Sequence, residues 1–262
     1  MANEHYARVD DPAAAILAGL ARDHDITIDD LAPVDEFHLG GAAATDVLAA
    51  ELGLGPGNRV LDIGSGIGGP ARRLAASTGC VVVGVDLTPT FVATATELSR
   101  LTGLDDRTEF HVGDATRLEF EGSFDAATLI HVGMNIPDKA AFFVAVAERL
   151  TPGCRFAVYD IMATGDVAEL EYPLPFAAAA DEAWVESPGA YVEALEAAGF
   201  EVGEPVDHTR LALDAAAAAG ASGPPPVSLG TLMGPDFRTM FANLGAALRS
   251  GLVAPVQIIA TR

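Results

Sequence analysis

Two textures alternate along residues 59–161. Short apolar, β-branched runs at 59–63, 81–85, 110–112, 124–130 and 155–161 read as five strands. Helical periodicity fills the gaps. Ile67, Ala71, Leu74 and Ala75 fall on one face, with Pro70 in the first turn. Thr88-Pro89 caps the next helix. Phe143, Val146, Ala147 and Leu150 make the apolar face of a third, which Thr151-Pro-Gly153 stops. Strand–helix alternation of this kind predicts an α/β fold, a parallel sheet with helices on both faces.

The rest of the chain completes that sheet. The apolar stretch 13–21 predicts a short amphipathic or capping helix. Ser187-Pro188 opens a helix with Tyr191, Leu195 and Ala198 on one face, ended by Gly199. Residues 201–206 predict a sixth strand and 255–261 a last one. Between them, Phe237, Met240, Phe241, Leu244 and Leu248 form a helical stripe ended by Gly251. Residues 162–186 and 220–230 fit no core element. Long connections in α/β domains usually shape a binding site. With no repeat and no linker, the expectation is one domain: a helical N-terminal cap over 1–58, a cofactor-binding half over 59–161, and lid plus sheet completion over 162–262.

Charge narrows the partners. The 262 residues carry 37 Asp+Glu against 15 Lys+Arg, a formal net charge of −22. Such a surface repels phosphate backbones and anionic lipid, so neither nucleic acid nor membrane is expected as a partner. No apolar run reaches the ~18 residues of a bilayer span. The acidic start, Met-Ala-Asn-Glu-His, lacks the basic region of a signal peptide. Cys80 and Cys154 read as reduced thiols of a cytoplasmic protein, and short-spaced zinc-ligand pairs are absent. Oligomeric state is left open.

The chemistry begins at Gly64-Ser-Gly66-Ile-Gly68-Gly69, between the first strand and its helix. The spacing satisfies the dinucleotide fingerprint G-x-G-x-x-G. Asp62 changes its meaning, because a carboxylate two residues before the first glycine repels a pyrophosphate and attracts a cation. Asp86 ends the second strand, where nucleotide-binding α/β domains place an acid for the ribose hydroxyls. Asp114 follows the third strand, placed to accept from an adenine amino group. Each acid alone also reads as a helix cap; three at successive strand ends beside a glycine loop point into one crevice.

Val60-Leu-Asp-Ile-Gly-Ser-Gly-Ile-Gly-Gly69, Gly84-Val-Asp-Leu87 and Gly113-Asp-Ala115 resemble the successive motifs of class I S-adenosylmethionine-dependent methyltransferases. The resemblance implies a Rossmann-like seven-stranded sheet whose last strand runs antiparallel beside the fifth. It implies S-adenosylmethionine as cofactor, with Gly64, Ser65 and Gly66 at its methionine part and Asp62 near its ammonium. Asp86 and Leu87 would hold the ribose, Asp114 and Ala115 would meet the adenine, and Ile130 at the end of strand four is counted with them. Asp35-Glu-Phe-His-Leu-Gly-Gly41 resembles the closing segment of small-molecule methyltransferases. His131-Val-Gly-Met-Asn-Ile-Pro-Asp-Lys139 is similar to a loop of sarcosine, dimethylglycine and phosphoethanolamine N-methyltransferases and of the ubiquinone and sugar methyltransferases. The phosphoethanolamine enzymes have a histidine where this chain has Asn135.

The implied partner is a small-molecule methyl acceptor, an amine among the candidates; N, O, S and C atoms all stay open. Methyl transfer from a sulfonium is an in-line displacement that needs alignment and exclusion of water. Should the acceptor lose a proton, His131 is the first candidate base and His38 the second. Asn135, Tyr172 and Trp184 are candidate acceptor contacts, the aromatics serving either as a cation cage or as the lid's own core. His5, His24, His111 and His208 read as ordinary surface or edge residues. Competing readings are a nicotinamide-dependent oxidoreductase, which Asp62 opposes, and a non-catalytic protein retaining the fold.

Many acids, a single lysine (Lys139) and abundant alanine fit either salt adaptation or codon bias. Under the first, the melting temperature should rise between 0.1 M and 1 M salt, as the Debye length shrinks from ~10 Å to ~3 Å. A flat or falling curve in two weakly interacting salts would leave codon bias as the account.

Overall fold

The computed structural model describes residues 9–20, 24–114, 117, 123–221 and 223–262. The five expected strands form at Arg59–Ile63 (β1), Val81–Asp86 (β2), Thr108–Val112 (β3), Phe124–Ile130 (β4) and Leu150–Ala163 (β5). All four pairings among them are parallel. β5 starts earlier than expected: Leu150, assigned to the preceding helix face, pairs with Phe124 before the register shifts at Ala126. Val253–Thr261 (β8) runs antiparallel along β5, from Arg155 opposite Thr261 to Ala163 opposite Val253.

The expected sixth strand forms as two short pieces, Glu201–Val202 (β6) and Val206–Asp207 (β7), both antiparallel to β8. Gly203-Glu204-Pro205 separates them, and Pro205 has no N–H for the ladder. The sheet therefore counts eight strands, ordered β3-β2-β1-β4-β5-β8-β6 with β7 also on β8.

Helices Gly69–Thr78 (α4), Pro89–Leu101 (α5) and Lys139–Arg149 (α6) occupy the expected gaps, and Pro188–Ala197 (α7) starts at a Ser187 cap. Phe237–Arg249 (α10) carries the predicted stripe, with Met240, Leu244 and Leu248 buried. The helix Thr209–Ala221 (α8) is a finding beyond the sequence reading. The four-residue helix Gly230–Met233 (α9) lies between α8 and α10.

The N-terminal cap contributes Pro12–Gly19 (α1), Ile28–Asp35 (α2) and Gly41–Leu52 (α3). The first matches the predicted helix, though Ala21 lies outside the described residues. Asp11 caps α1, and Thr27 with Asp30 forms a reciprocal capping box on α2. Ile16, Leu31 and Val34 pack with Ile67, Phe91, Val227 and Leu232, so α1 and α2 meet the segment 227–232 beside the glycine loop.

Below them lies an ion pair sealed from water. Arg72 on α4 is 0% exposed, and its Nη2 donates to Asp35 Oδ2 at 2.7 Å. The same guanidinium donates to the carbonyls of Ile67 (2.8 Å) and Ala95 (3.2 Å). Gly69 makes the approach possible, because a Cβ there would collide with the Asp35 backbone.

Asp35→Ala should strand this guanidinium. Breaking a buried pair from one side costs ~3–5 kcal/mol, to be read as a lowered midpoint in urea unfolding. A loss below ~1 kcal/mol would show that water reaches Arg72.

Candidate active site

A cleft opens at the carboxyl ends of β1, β2 and β4, enclosing about 1500 Å³ with the solvent at its mouth included. Parallel strands deliver their last residues to one edge, which is why the acids and the glycine loop converge. Asp62 lines the cleft with 2% of its surface exposed. Its Oδ1 accepts from Thr128 Oγ1 at 2.7 Å, while Oδ2 is buried without a partner. Burial holds the Asp62 carboxyl up at about 6 despite that hydrogen bond, and the charge of Asp86 adds to the rise.

Asp86 accepts from the backbone at both oxygens, from Gly66 N–H at 2.9 Å and Thr88 N–H at 2.8 Å. Burial raises its carboxyl pKa too. The loop runs through left-handed backbone at Gly64 (φ 71°) and Gly66 (φ 54°). A side chain at Gly64 would strike Val132, whereas one at Gly66 would stand in the open cleft. Ser65 Oγ is a second buried atom without a partner. An unpartnered carboxylate oxygen, an open glycine cradle and an acid at the second strand end fit a ligand carrying an ammonium and a ribose.

The other end of the cleft is built around His131. It is the one non-glycine residue with positive φ (54°) among the described residues, a conformation costing ~1–3 kcal/mol. Its N–H donates to Tyr159 O at 2.8 Å, and its ring stacks on the Tyr159 ring, centroids 5.7 Å apart. Tyr159 Oη donates to Leu39 O at 2.8 Å, and Leu39 N–H approaches His131 Nε2 at 3.4 Å. The segment 35–41 is thus tied to the ends of β4 and β5.

His38 packs edge-on against both rings, each at 5.9 Å. Its Nε2 lies 3.0 Å from Gly41 O and 3.2 Å from Thr45 Oγ1. Burial lowers its pKa to about 4; burial, then the neighbouring His38, puts His131 well below the ordinary histidine value. Glu36, which accepts from Thr45 Oγ1 at 2.8 Å, is pushed up to about 8 by burial and by Asp35. At neutral pH both imidazoles and the Glu36 carboxyl are uncharged.

The loop 131–139 is a frame for the lid. Asn135 Nδ2 donates to Phe176 O at 2.8 Å. Trp184 N–H donates to Met134 O at 2.8 Å. Lys139, only 3% exposed, donates to Ile136 O at 3.1 Å and Trp184 O at 2.8 Å, with its ammonium 5.1 Å from the Tyr191 ring centre. From below, Asp160 Oδ2 accepts from Met134 N–H and from Tyr191 Oη.

Of the residues expected at the site, Asp62, Gly64, Ser65, Gly66, Asp86, Leu87, Ile130, His38, His131 and Asn135 line the cleft. Gly113 lines it too, and half-buried Asp114 follows, its carboxylate 3.5 Å from Arg117. Ala115 and His5 lie outside the described residues. Tyr172 and Trp184 do not line the cleft. Tyr172 packs on the lid's own apolar cluster with Leu170, Leu174 and Phe176, and Trp184 engages the frame through its backbone. His208, read as ordinary, packs its ring on Tyr159 at 5.7 Å. The sequence reading missed Tyr159, Arg72, Thr45 and the role of Lys139. A lone lysine in an apolar loop was the available signal for the last.

Residues 60–153 match the family model described as a methyltransferase domain. The methyltransferase GfsG of Streptomyces halstedii is 32% identical over 142 residues, 54% of this chain and 51% of that protein. The cycloartenol-C-24-methyltransferase of Arabidopsis thaliana is 38% identical over 114 residues, 43% of this chain and 34% of its own. The chain thus spans about half or less of the length of these relatives. Among solved structures, a geranyl diphosphate C-methyltransferase from Streptomyces coelicolor A3(2) shares the fold, with TM-score 0.70, 19% identity, and coverage of 99% of this chain and 96% of that one. The family match covers the stretch from β1 to the start of β5, which carries Asp62, the glycine loop and Asp86.

A cation bound at Asp62 requires the carboxylate form. Since Asp62 releases its proton only near pH 6, affinity for S-adenosylmethionine should be level above pH 7. Below pH 6 it should fall by up to tenfold per pH unit for each proton that must leave. In Asp62→Asn the slope should drop by about one proton, and affinity at pH 7.5 should be weaker. Calorimetric titration from pH 5 to 8 measures both; an unchanged slope in the variant would remove Asp62 from the site.

Proposed function

We propose that this chain transfers the methyl group of S-adenosylmethionine to a small-molecule acceptor lying beside His131. The observation that carries the reading is Asp62 Oδ2, a buried carboxylate oxygen without a partner, on a residue that lines the same cleft as Asp86 and the glycine loop. When bound, S-adenosylmethionine supplies an electrophilic methyl on a positively charged sulfur. Asp62 would hold the ammonium, Asp86 the ribose hydroxyls, and the Gly64–Gly66 backbone would follow the methionine part. A pyrophosphate at this loop would meet the Asp62 charge, which disfavours the nicotinamide alternative.

The chain's own contribution to the reaction is alignment and dryness. Phe37, Leu39, Val132, Met134 and Phe176 wall the cleft with apolar surface, which excludes water from the acceptor atom. His131, held neutral, offers Nε2 as the atom to receive a proton; the long contact from Leu39 N–H engages that lone pair only weakly. A base this weak takes a proton only as positive charge builds on the acceptor. This departs from a histidine titrating at its ordinary value, and it moves the acidic limb of activity well below pH 6.5.

An amine acceptor belongs to the reading in its uncharged form. Tyr172 and Trp184, the aromatics suited to a cation cage, stand outside the cleft, and Asp35, the third carboxylate lining it, is committed to Arg72. Two unpaired cysteines, Cys80 buried and Cys154 half-buried, support a reducing cytoplasmic setting. No described helix is long and apolar enough to cross a membrane.

Titration should show S-adenosylmethionine binding where NADH does not, and a metabolite extract incubated with enzyme and cofactor should gain one methyl by mass. With saturating cofactor, His131→Ala should lower kcat by ~10²–10⁴-fold, as removal of a general base does, with cofactor affinity within a few-fold of wild type. The wild-type kcat should stay level from pH 8 past pH 6.5. Parallel loss of cofactor binding would make His131 a cofactor residue, and NADH binding in place of S-adenosylmethionine would defeat the reading.

A further inference from the structure

The cleft has two chemically different ends. Its carboxylates, Asp62 and Asp86, sit under the glycine loop. The opposite end is walled by Leu39, Val132, Met134, Ile161, Phe176 and Phe241, which come from the closing segment, the frame loop, β5, the lid and α10. Its polar side chains are His38, His131 and Asn135, and the Asn135 amide already donates to Phe176 O. No lysine or arginine is among the described residues that line the cleft. The two cations buried near it are committed elsewhere. Arg72 is paired with Asp35, and Lys139 donates to two carbonyls of the frame and lid.

These facts constrain the acceptor, given the methyl-transfer reading on which this step rests. A phosphate or carboxylate drawn into the apolar end would leave water with no counter-charge, at a cost far above one hydrogen bond. It would also share one cleft with the carboxylates of Asp62 and Asp86. An ammonium fares no better at that end, where no unpaired carboxylate and no cage stands. We propose that the acceptor is an uncharged molecule with a largely apolar body that brings one polar atom to His131, and that phosphorylated and carboxylated acceptors are excluded. The acceptor must therefore be taken before any phosphorylation of its polar end, or after the phosphate has been removed.

A matched series tests this on the full chain without turnover. Octanol, octyl phosphate and octyltrimethylammonium share one apolar tail and differ in charge. In calorimetric titration at pH 7.5 octanol should bind at least ~10-fold more tightly than octyl phosphate, the size expected for desolvating an unpaired charge, and more tightly than octyltrimethylammonium once S-adenosylmethionine fills the Asp62 end. Phe241→Arg, at a half-buried wall position, should narrow or invert the preference of octanol over octyl phosphate. Phe241→Gln, polar but uncharged, should not. Octyl phosphate binding wild type as well as octanol overturns the proposal. So does equal binding of all three, which would place the tail outside the cleft, or an order unmoved by Phe241→Arg in a folded variant. S-adenosylmethionine titrated alone separates the two readings: its failure to bind removes the methyl-transfer reading while the headgroup order still reports on the cleft.

Discussion

Asp35 and Arg72 are both shut away from water, and their 2.7 Å contact joins α2 to the helix after the glycine loop from the inside, where Arg73 and Asp29 join the same helices near the surface. Arg72 stands on the first turns of the helix that follows the glycine loop. Asp35 ends α2 and begins the segment whose Leu39 is bonded to Tyr159 and approaches His131. The guanidinium also holds Ile67 O, inside the loop itself. One planar cation thus fixes the glycine loop against the segment 35–41. Neither partner can leave alone without stranding the other's charge, so the closing segment is held by electrostatics as well as by surface area.

The electrostatics of the cleft follow from what surrounds each charge. Buried Asp62 and half-buried Asp86 have raised pKa values, and no described cation stands beside them. They are costly in the free protein, and a cationic ligand relieves that cost. At the opposite end, burial acts on bases instead and keeps His38 and His131 neutral. The same desolvation therefore primes one end for a positive charge and the other for none. A cleft poised this way offers a positive group one end and an uncharged group the other, without any gate between them.

The sheet core and the cofactor end were legible in the sequence because short-range patterns encode them. A β-branched run followed by an acid or a glycine loop specifies both a strand and the residue it delivers to the crevice, so Asp62, Gly64, Gly66 and Asp86 could be placed without tertiary knowledge. The acceptor end has no such code. His131 and His38 were found by position in the chain, whereas Tyr159, on which both rings pack, looks in sequence like one more residue of a buried strand. Tyr172 and Trp184 were drawn into the site by aromaticity, but the frame turns them elsewhere: Lys139 and Met134 hold Trp184 by its backbone. The sixth strand was read as continuous because Val202 and Val206 share a period of two, although Pro205 between them lacks the N–H a ladder needs. The helix α8 went unread because its alanine-rich run, with only Ala212 buried, carries almost no periodic contrast.

The strain at His131 has its physical sense in this division of the cleft. A histidine in left-handed backbone is disfavoured, and nothing local in Ile130-His131-Val132 demands it. The demand comes from both sides of the turn. Upstream, β4 must end flush with β1 so that Thr128 can bond Asp62, which fixes where His131 leaves the sheet. Downstream, Met134 must reach Asp160 and Trp184, and Asn135 must reach Phe176, which fixes where the frame loop goes. The turn between these two anchored ends has to reverse within a few residues, and the left-handed residue is where it does so. A glycine would make that reversal at lower backbone cost, but it would leave no ring to stack on Tyr159 and no nitrogen facing the acceptor. The conformational penalty falls on the one position where the side chain is worth more than the backbone freedom, and the cofactor acids upstream and lid contacts downstream jointly hold it there.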